Sequence, residues 1–263
     1  MATETGGLAI PRIKARKRQR WTVFEIDVVD IETTLDQHEE WFVLRTDRGE
    51  ERLRIHDYER IYEIQGLYEE VVYRRLQCQS HRVVCSLLLD ALRQAGEEKR
   101  SLSVLELGAG NGVAGECLRS QLPSCSLVGV DIIPQAREAA VRDRPGLYCD
   151  YHVSDFAELP AEVEAQLRSR QFNGLLTVGS LGFDDIPVES FTRALELLEP
   201  ESWLAFNIKA SFLEDADTSG FRKALRSMIG QDLEFLQTRQ YRHRFSLSGR
   251  PLYYRAVAGR IRS

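Results

Sequence analysis

The chain has 263 residues, of which 43% are apolar and 29% are charged, and its formal net charge at pH 7 is −5. This composition is typical of a globular protein with a sizeable core, and the acidic balance argues against nucleic acid as a partner, because phosphate binding requires a concentrated basic surface. No apolar run approaches the roughly 18 residues of a membrane span, and the N-terminal segment lacks the apolar stretch of a signal peptide. Five cysteines without a C-x-x-C pair favour a reduced compartment, the cytoplasm.

The first 20 residues form a basic segment, with six Lys or Arg residues between Arg12 and Arg20. A solvated tail is the favoured interpretation, and an arm for nucleic acid or an acidic partner is the alternative. Residues 21–56 then alternate between apolar and polar side chains, with a hairpin turn at Asp47, Arg48 and Gly49. This pattern predicts a small antiparallel β unit with strands over residues 21–29, 41–45 and 50–55.

Residues 57–100 are predicted to be helical. Tyr58 and Tyr62 are four positions apart on one helix face, and Tyr68 follows closely. Residues 69–91 show helical spacing with a break near Gln79, where Ser80 is the candidate N-cap of a second helix.

A short apolar strand over residues 104–107 is followed by a glycine-rich loop and a predicted helix over residues 113–122. Two frames describe the loop. Counted from Gly110, it matches the dinucleotide fingerprint G-x-G-x-x-G. Counted from Glu106, it reads Glu-x-Gly-x-Gly-x-Gly, which also accounts for the acid near the strand end and resembles the first motif of class I S-adenosylmethionine-dependent methyltransferases. We favour the second frame; a glycine turn without a ligand is the remaining alternative.

The resemblance implies which residues bind S-adenosylmethionine. Glu106 would hold the methionine part of the cofactor, and the glycines would make room for it. Gly108, Gly110 and Asn111 are the loop residues assigned to the cofactor site.

Further acidic residues follow at compatible spacing. Asp131 ends the second predicted strand 23 positions after Gly108, near the roughly 20-residue spacing at which a carboxylate meets ribose hydroxyls, and Ile132 would line the adenine. By the resemblance, Asp155 accepts a hydrogen bond from the adenine amino group beside Phe156, with a helix N-cap as the alternative role. Ser180 follows the fourth strand and is expected near the methyl-donor region or the acceptor.

The rest of the chain alternates strands and helices, with the third, fourth and fifth core strands predicted over residues 146–153, 172–178 and 203–208. It ends in a predicted hairpin with strands over residues 233–244 and 252–261. The expected fold is therefore α/β: a Rossmann-like methyltransferase sheet, mostly parallel with an antiparallel C-terminal hairpin, behind a small N-terminal β unit. The expected segments are a basic tail (1–20), the β unit (21–56), a helical lid or linker (57–100) and the cofactor-binding core (101–263). The lid role of the tyrosine-rich segment is implied by the resemblance, and ordinary packing between the two units is the alternative.

The predicted function is S-adenosylmethionine-dependent methyl transfer to a small-molecule acceptor, with S-adenosylhomocysteine (SAH) as product. No metal site is predicted, because the pair Asp184 and Asp185 lacks a full ligand set. Lys209, His152 and His243 are candidate bases by chain position alone, so the catalytic residues stay unassigned. The alternatives are a non-catalytic module with this fold, a nicotinamide-dependent oxidoreductase that uses the Gly110 frame, and an aminopropyl transferase, whose acidic motifs are not evident.

Overall fold

A computed structural model describes residues 24–27, 39–181, 186–214, 220–231 and 233–262 of the chain. The predicted basic tail, both ends of the first predicted strand, and the pair Asp184 and Asp185 lie outside the described residues.

The N-terminal unit is a three-stranded antiparallel sheet in the order β1-β2-β3. Its strands are β1 (Glu25–Asp27), β2 (Trp41–Thr46) and β3 (Gly49–Arg54). Alternate side chains of β2 and β3, among them Phe42, Leu44 and Leu53, are buried against the helical segment that follows. One face of the sheet is therefore part of a core, which is why residues in this region alternate between apolar and polar.

The helical segment contains α1 (Tyr58–Glu63), a π-helical turn (Glu69–Arg75) and α2 (Ser80–Gln94). The break falls where the sequence predicts it, at Gln77, which has a left-handed φ of 53°. The capping role predicted for Ser80 is wrong. Ser80 is the first helical residue, and its hydroxyl group bonds to Tyr241 and His243 instead of a helix N–H group.

The C-terminal unit is a seven-stranded sheet in the order β6-β5-β4-β7-β8-β10-β9. Strands β4 to β8 are parallel to one another, and β10 is antiparallel to both of its neighbours. The strands are β4 (Ser103–Leu107), β5 (Ser126–Asp131), β6 (Asp150–Val153), β7 (Phe172–Leu181), β8 (Leu198–Lys209), β9 (Leu233–Phe245) and β10 (Pro251–Ile261). This order and the C-terminal hairpin confirm the predicted fold class.

Helices cover both faces of this sheet. They are α3 (Val113–Gln121), α4 (Pro134–Asp143), α5 (Ala161–Arg168), α6 (Val188–Leu195) and α7 (Phe221–Gln231), with a 3₁₀ turn at Ala210–Leu213. Alternate residues of β8 point to opposite faces. Trp203 packs with residues of α2 and α3, whereas Phe206 packs with residues of α5, α6 and α7.

Three core strands differ from their predicted bounds. The fifth was predicted over residues 203–208, but β8 spans Leu198–Lys209. The third core strand was predicted over residues 146–153, but β6 begins at Asp150 because the chain turns at Gly146, where φ is 74°. The fourth was predicted to end at Val178, but β7 continues to Leu181 past an irregularity between Thr177 and Leu181. Ser180 is therefore part of a strand end rather than of the following loop.

No described helix is long and apolar enough to cross a membrane.

Candidate functional site

A pocket lies at the carboxyl ends of β4, β5 and β7. Because these parallel strands are neighbours, the segments that follow them meet at one edge of the sheet. All nine residues predicted to bind the cofactor line this pocket: Glu106, Gly108, Gly110, Asn111, Asp131, Ile132, Asp155, Phe156 and Ser180.

The glycine loop adopts a conformation that few other residues tolerate. Gly110 has a φ of 54°, and a Cβ atom added there would lie 2.6 Å from the hydroxyl oxygen of Tyr62. At Gly108 the φ is 68°, and an added Cβ atom would lie 2.6 Å from the Oγ atom of Ser180. The loop is thus closely approached from two sides, by α1 and by the end of β7.

Glu106 is buried at the base of the pocket. Its carboxylate accepts hydrogen bonds from the backbone N–H group of Gly115 (3.1 Å) and the hydroxyl group of Tyr148 (2.9 Å). Burial away from water raises the pKa of Glu106 to about 8, in spite of these two donors. Gly115 allows α3 to lie close to β4, since an added Cβ atom would collide with the carboxylate.

Asp131 ends β5 and faces the glycine loop. Its carboxylate accepts hydrogen bonds from the backbone N–H groups of Gly110 (2.8 Å) and Ile133 (3.0 Å). Burial raises its pKa from the ordinary value. Each oxygen accepts one of these bonds and retains capacity for another, so the carboxylate can also accept bonds from a ligand's hydroxyl groups.

Ile132, Asp155 and Phe156 add apolar and acidic groups to the lining of the pocket. Ile132 is 60% exposed and lines the pocket, so its side chain is accessible to a ligand there. Phe156 is buried. The Oδ1 atom of Asp155 accepts a hydrogen bond from the N–H group of Ala157 (2.8 Å), but the alternative N-cap role is wrong, because α5 begins only at Ala161 and its cap position is Pro160.

Asn111 and Ser180 complete the predicted set. The amide nitrogen of Asn111 donates to Glu69 of the π-helical turn (2.8 Å), and Arg144 donates to the same carboxylate oxygen (3.0 Å). The Oγ atom of Ser180 is buried, and it has no hydrogen-bond partner in the described part of the chain. An unpartnered hydroxyl group beside a pocket is a candidate contact for a ligand.

The tyrosine-rich segment also reaches the pocket. The tyrosines Tyr58, Tyr62, Tyr68 and Tyr73 form one wall of the pocket. Their rings contact one another, with centroids 5.1 Å apart for Tyr62 and Tyr68. The sequence predicts a lid or ordinary packing for the first three. All three line the pocket and Tyr62 packs on α4, while the lid role stays a prediction.

Tyr148 and Tyr151 form hydrogen bonds with the glycine loop and with Glu106. The Tyr151 hydroxyl group donates to the carbonyl oxygen of Gly110 (2.7 Å), while Tyr148 donates to Glu106. No local pattern distinguishes these tyrosines from core residues, so the sequence alone did not identify them.

No protein-family model and no curated protein sequence matches the chain, whereas solved structures resemble it. The plantazolicin methyltransferase BpumL in complex with SAH superposes with a TM-score of 0.51 at 14% identity, covering 79% of this chain and 91% of that one. The CurJ carbon methyltransferase superposes with a TM-score of 0.54 at 12% identity, covering 79% of this chain and 61% of that one. The chain therefore has the class I, Rossmann-like fold of S-adenosylmethionine-dependent methyltransferases.

Proposed function

We propose that the protein transfers a methyl group from S-adenosylmethionine to a small-molecule acceptor. The observation that carries the proposal is the convergence of the glycine loop, Glu106, Asp131, Asp155 and Ser180 on a single pocket. Strand β10, antiparallel between β8 and β9, supports methyl transfer over a nicotinamide-dependent reaction, because the dinucleotide fold is an open, mostly parallel sheet in the order 3-2-1-4-5-6.

The pocket residues suggest how the cofactor would be held. In this proposal Asp131 accepts hydrogen bonds from the ribose hydroxyl groups, and Asp155 accepts one from the adenine amino group between Ile132 and Phe156. Glu106, Gly108, Gly110 and Asn111 surround the methionine part, and Ser180 lies near the methyl group. These acidic side chains form an acceptor set, which fits a ligand with neutral hydroxyl and amino groups at one end and an ammonium group at the other, since carboxyl oxygens accept hydrogen bonds from all three.

When bound, the cofactor supplies an activated methyl group on a sulfonium centre. The protein's contribution is then to align the acceptor and to exclude water. The tyrosine wall suits both tasks, because its rings contact one another and Tyr62 lies against the glycine loop.

The proposal is tested by calorimetric titration of SAH into the wild type and the variant Asp131→Asn. The substitution keeps the size of the side chain but removes the charge and one acceptor oxygen. We expect the dissociation constant to rise at least about tenfold, which corresponds to about 1.4 kcal/mol.

Asp90→Asn is the matched control, since Asp90 lies on α2 and forms ion pairs with Arg93 and Arg239. Its affinity for SAH is expected to equal that of the wild type. Equal affinity of the Asp131 variant and the control would contradict the assignment of Asp131, and failure of the folded wild type to bind SAH would contradict the proposed function.

A further inference from the structure

A second, smaller cavity of about 50 Å³ adjoins the cofactor pocket. The two share a wall formed by Tyr58, Tyr68, Tyr73, Val178 and Gly179. The cavity exceeds the roughly 10–15 Å³ that one water molecule needs, so it has room for a group of several atoms.

The opposite side of this cavity is formed by a buried polar cluster. Cys78, Ser80 and His243 line it, and the imidazole ring of His243 stacks on Tyr254 with ring centroids 4.0 Å apart. Ser80, Asn207 and His243 are each at most 8% exposed. Four of these five residues line the cavity, and Asn207 joins them through its hydrogen bond to Ser80.

The hydrogen bonds of this cluster have a defined direction. The Oδ1 atom of Asn207 accepts from the N–H group of Gly179 (2.7 Å), which fixes the orientation of the amide group. Its Nδ2 atom therefore donates to the oxygen atoms of Tyr241 (2.9 Å) and Ser80 (3.2 Å). Gly179 lines both cavities, so the network begins at their shared wall.

The tautomer of His243 follows from this direction. The hydroxyl groups of Ser80 and Tyr241 lie 2.7 Å apart, and the Oγ atom of Ser80 lies 2.6 Å from Nδ1 of His243. If Tyr241 donates to Ser80, then Ser80 donates to Nδ1, and every hydroxyl hydrogen has an acceptor. The reverse order would leave the hydroxyl hydrogen of Tyr241 without one among the described residues. Nδ1 is thus an acceptor and Nε2 carries the proton.

The polar side chains of this cluster are uncharged, and the neighbouring arginine is paired. Burial lowers the pKa of His243 well below its ordinary value and raises the pKa of the Cys78 thiol, so both are neutral. Arg244, which also lines the cavity, is paired with the buried carboxylate of Glu40 (2.8 Å). His56 also lines the cavity, but the polar cluster itself offers a charged ligand group no unpaired counter-charge to offset its loss of hydration.

We propose that this cavity is the acceptor subsite. It takes the reactive end of a small, uncharged, planar acceptor. The Nε2–H group of His243 donates a hydrogen bond to an oxygen atom of that acceptor. The inference rests on the proposed function, since it places the acceptor beside the methyl group. His243 is a binding residue in this account and not a general base, because Nε2 already carries a proton. Ser80 and Asn207 are positioning residues that hold the tautomer.

The test uses the full chain labelled with ¹⁵N-histidine and saturated with SAH. Long-range proton–nitrogen spectra distinguish the two neutral tautomers, and His243→Asn identifies the resonance among the five histidines of the chain. If that buried substitution prevents folding, single variants of the other histidines assign the resonance by elimination. We expect the Nε2–H tautomer of His243 at pH 7.

Three probes of the same ring size are then added separately: phenol, benzoate and benzylamine. Phenol is expected to shift the His243 Nε2 resonance in a saturable way, and the two charged probes are expected to leave it unchanged. His152, which lines neither cavity, is the internal control.

Each outcome decides the proposal. An Nδ1–H tautomer, no saturable response to phenol, or an equal response to benzoate or benzylamine would overturn it while leaving SAH binding and the proposed function intact. Absence of SAH binding at the saturation step would instead overturn the proposed function. The two failures are therefore distinguishable.

Discussion

At the level of single residues, the burial of Glu106 makes the stability of the protein depend on pH. Its carboxyl group is fully enclosed and has a pKa of about 8, compared with 4.5 for an exposed glutamate. Between these two values the folded state binds a proton that the unfolded state releases. The free energy of unfolding therefore falls as the pH rises from about 4.5 towards 8.

The variant Glu106→Gln removes this titration and keeps the shape of the side chain. We predict that, relative to the variant, the wild type loses at least about 1.4 kcal/mol of stability between pH 5 and pH 8, which is the equivalent of one pKa unit. Urea unfolding at a series of pH values measures the difference. Glu59→Gln, on the exposed part of α1, controls for the substitution itself; parallel curves for the wild type and the Glu106 variant would show that the carboxyl group is not perturbed.

At the scale of elements, the contact between α1 and the glycine loop joins the tyrosine wall to the cofactor pocket. Tyr62 is buried between α4 and the loop, and its hydroxyl group occupies the space in which a Cβ atom of residue 110 would lie. Any side chain at this position would have to displace α1 or the tyrosine. The spacing between helix and loop is therefore set by the absence of a side chain at Gly110.

We predict that Gly110→Ala lowers the free energy of unfolding by about 1–2 kcal/mol, the cost of a left-handed conformation for an L-residue. The close contact of the new Cβ atom with Tyr62 lowers it by a further ~0.5–1 kcal/mol. The variant Tyr62→Phe removes the contacting oxygen, so in that background the cost of Gly110→Ala should fall by the smaller amount. Denaturant unfolding of the double-mutant cycle tests this. Tyr58→Phe is the control background, in which the full cost should remain; an identical cost in both backgrounds would refute the contact.

The sequence predicted the elements better than it predicted the second cavity. Strand ends and the glycine loop have local signatures, and the parallel arrangement of β4, β5 and β7 brings Glu106, Asp131 and Ser180 together without further information. In contrast, Ser80 and His243 are 163 positions apart and meet only because β10 inserts between β8 and β9. No periodicity encodes that contact. The sequence therefore offered His243 only as a candidate base by chain position, and it gave Ser80 a capping role that the structure contradicts.

At the scale of the whole molecule, one buried ion pair connects the N-terminal unit to the C-terminal hairpin. Glu40, just before β2, accepts hydrogen bonds from Arg244 (2.8 Å) and from the backbone N–H group of Leu247 (2.7 Å). Both charged side chains are almost completely buried, at 2% and 6% exposure. Removing one partner would leave the other as an uncompensated charge.

We predict that Glu40→Gln lowers the free energy of unfolding by about 3–5 kcal/mol, whereas replacing both residues (Glu40→Leu with Arg244→Met) recovers most of the loss. Asp90→Asn, which breaks a partly exposed pair, should cost less than about 1 kcal/mol. Chemical denaturation followed by circular dichroism measures all three. A loss in Glu40→Gln no larger than that in the control would mean that the pair does not hold the two units together.

The most direct test of the central claim is the ligand preference of the wild type, measured by calorimetric titration with S-adenosylmethionine, SAH and NAD in turn. We predict micromolar dissociation constants for the two adenosyl ligands and no detectable binding of NAD. Binding of NAD in place of the adenosyl ligands, or binding of none of the three by a protein shown to be folded, would contradict it.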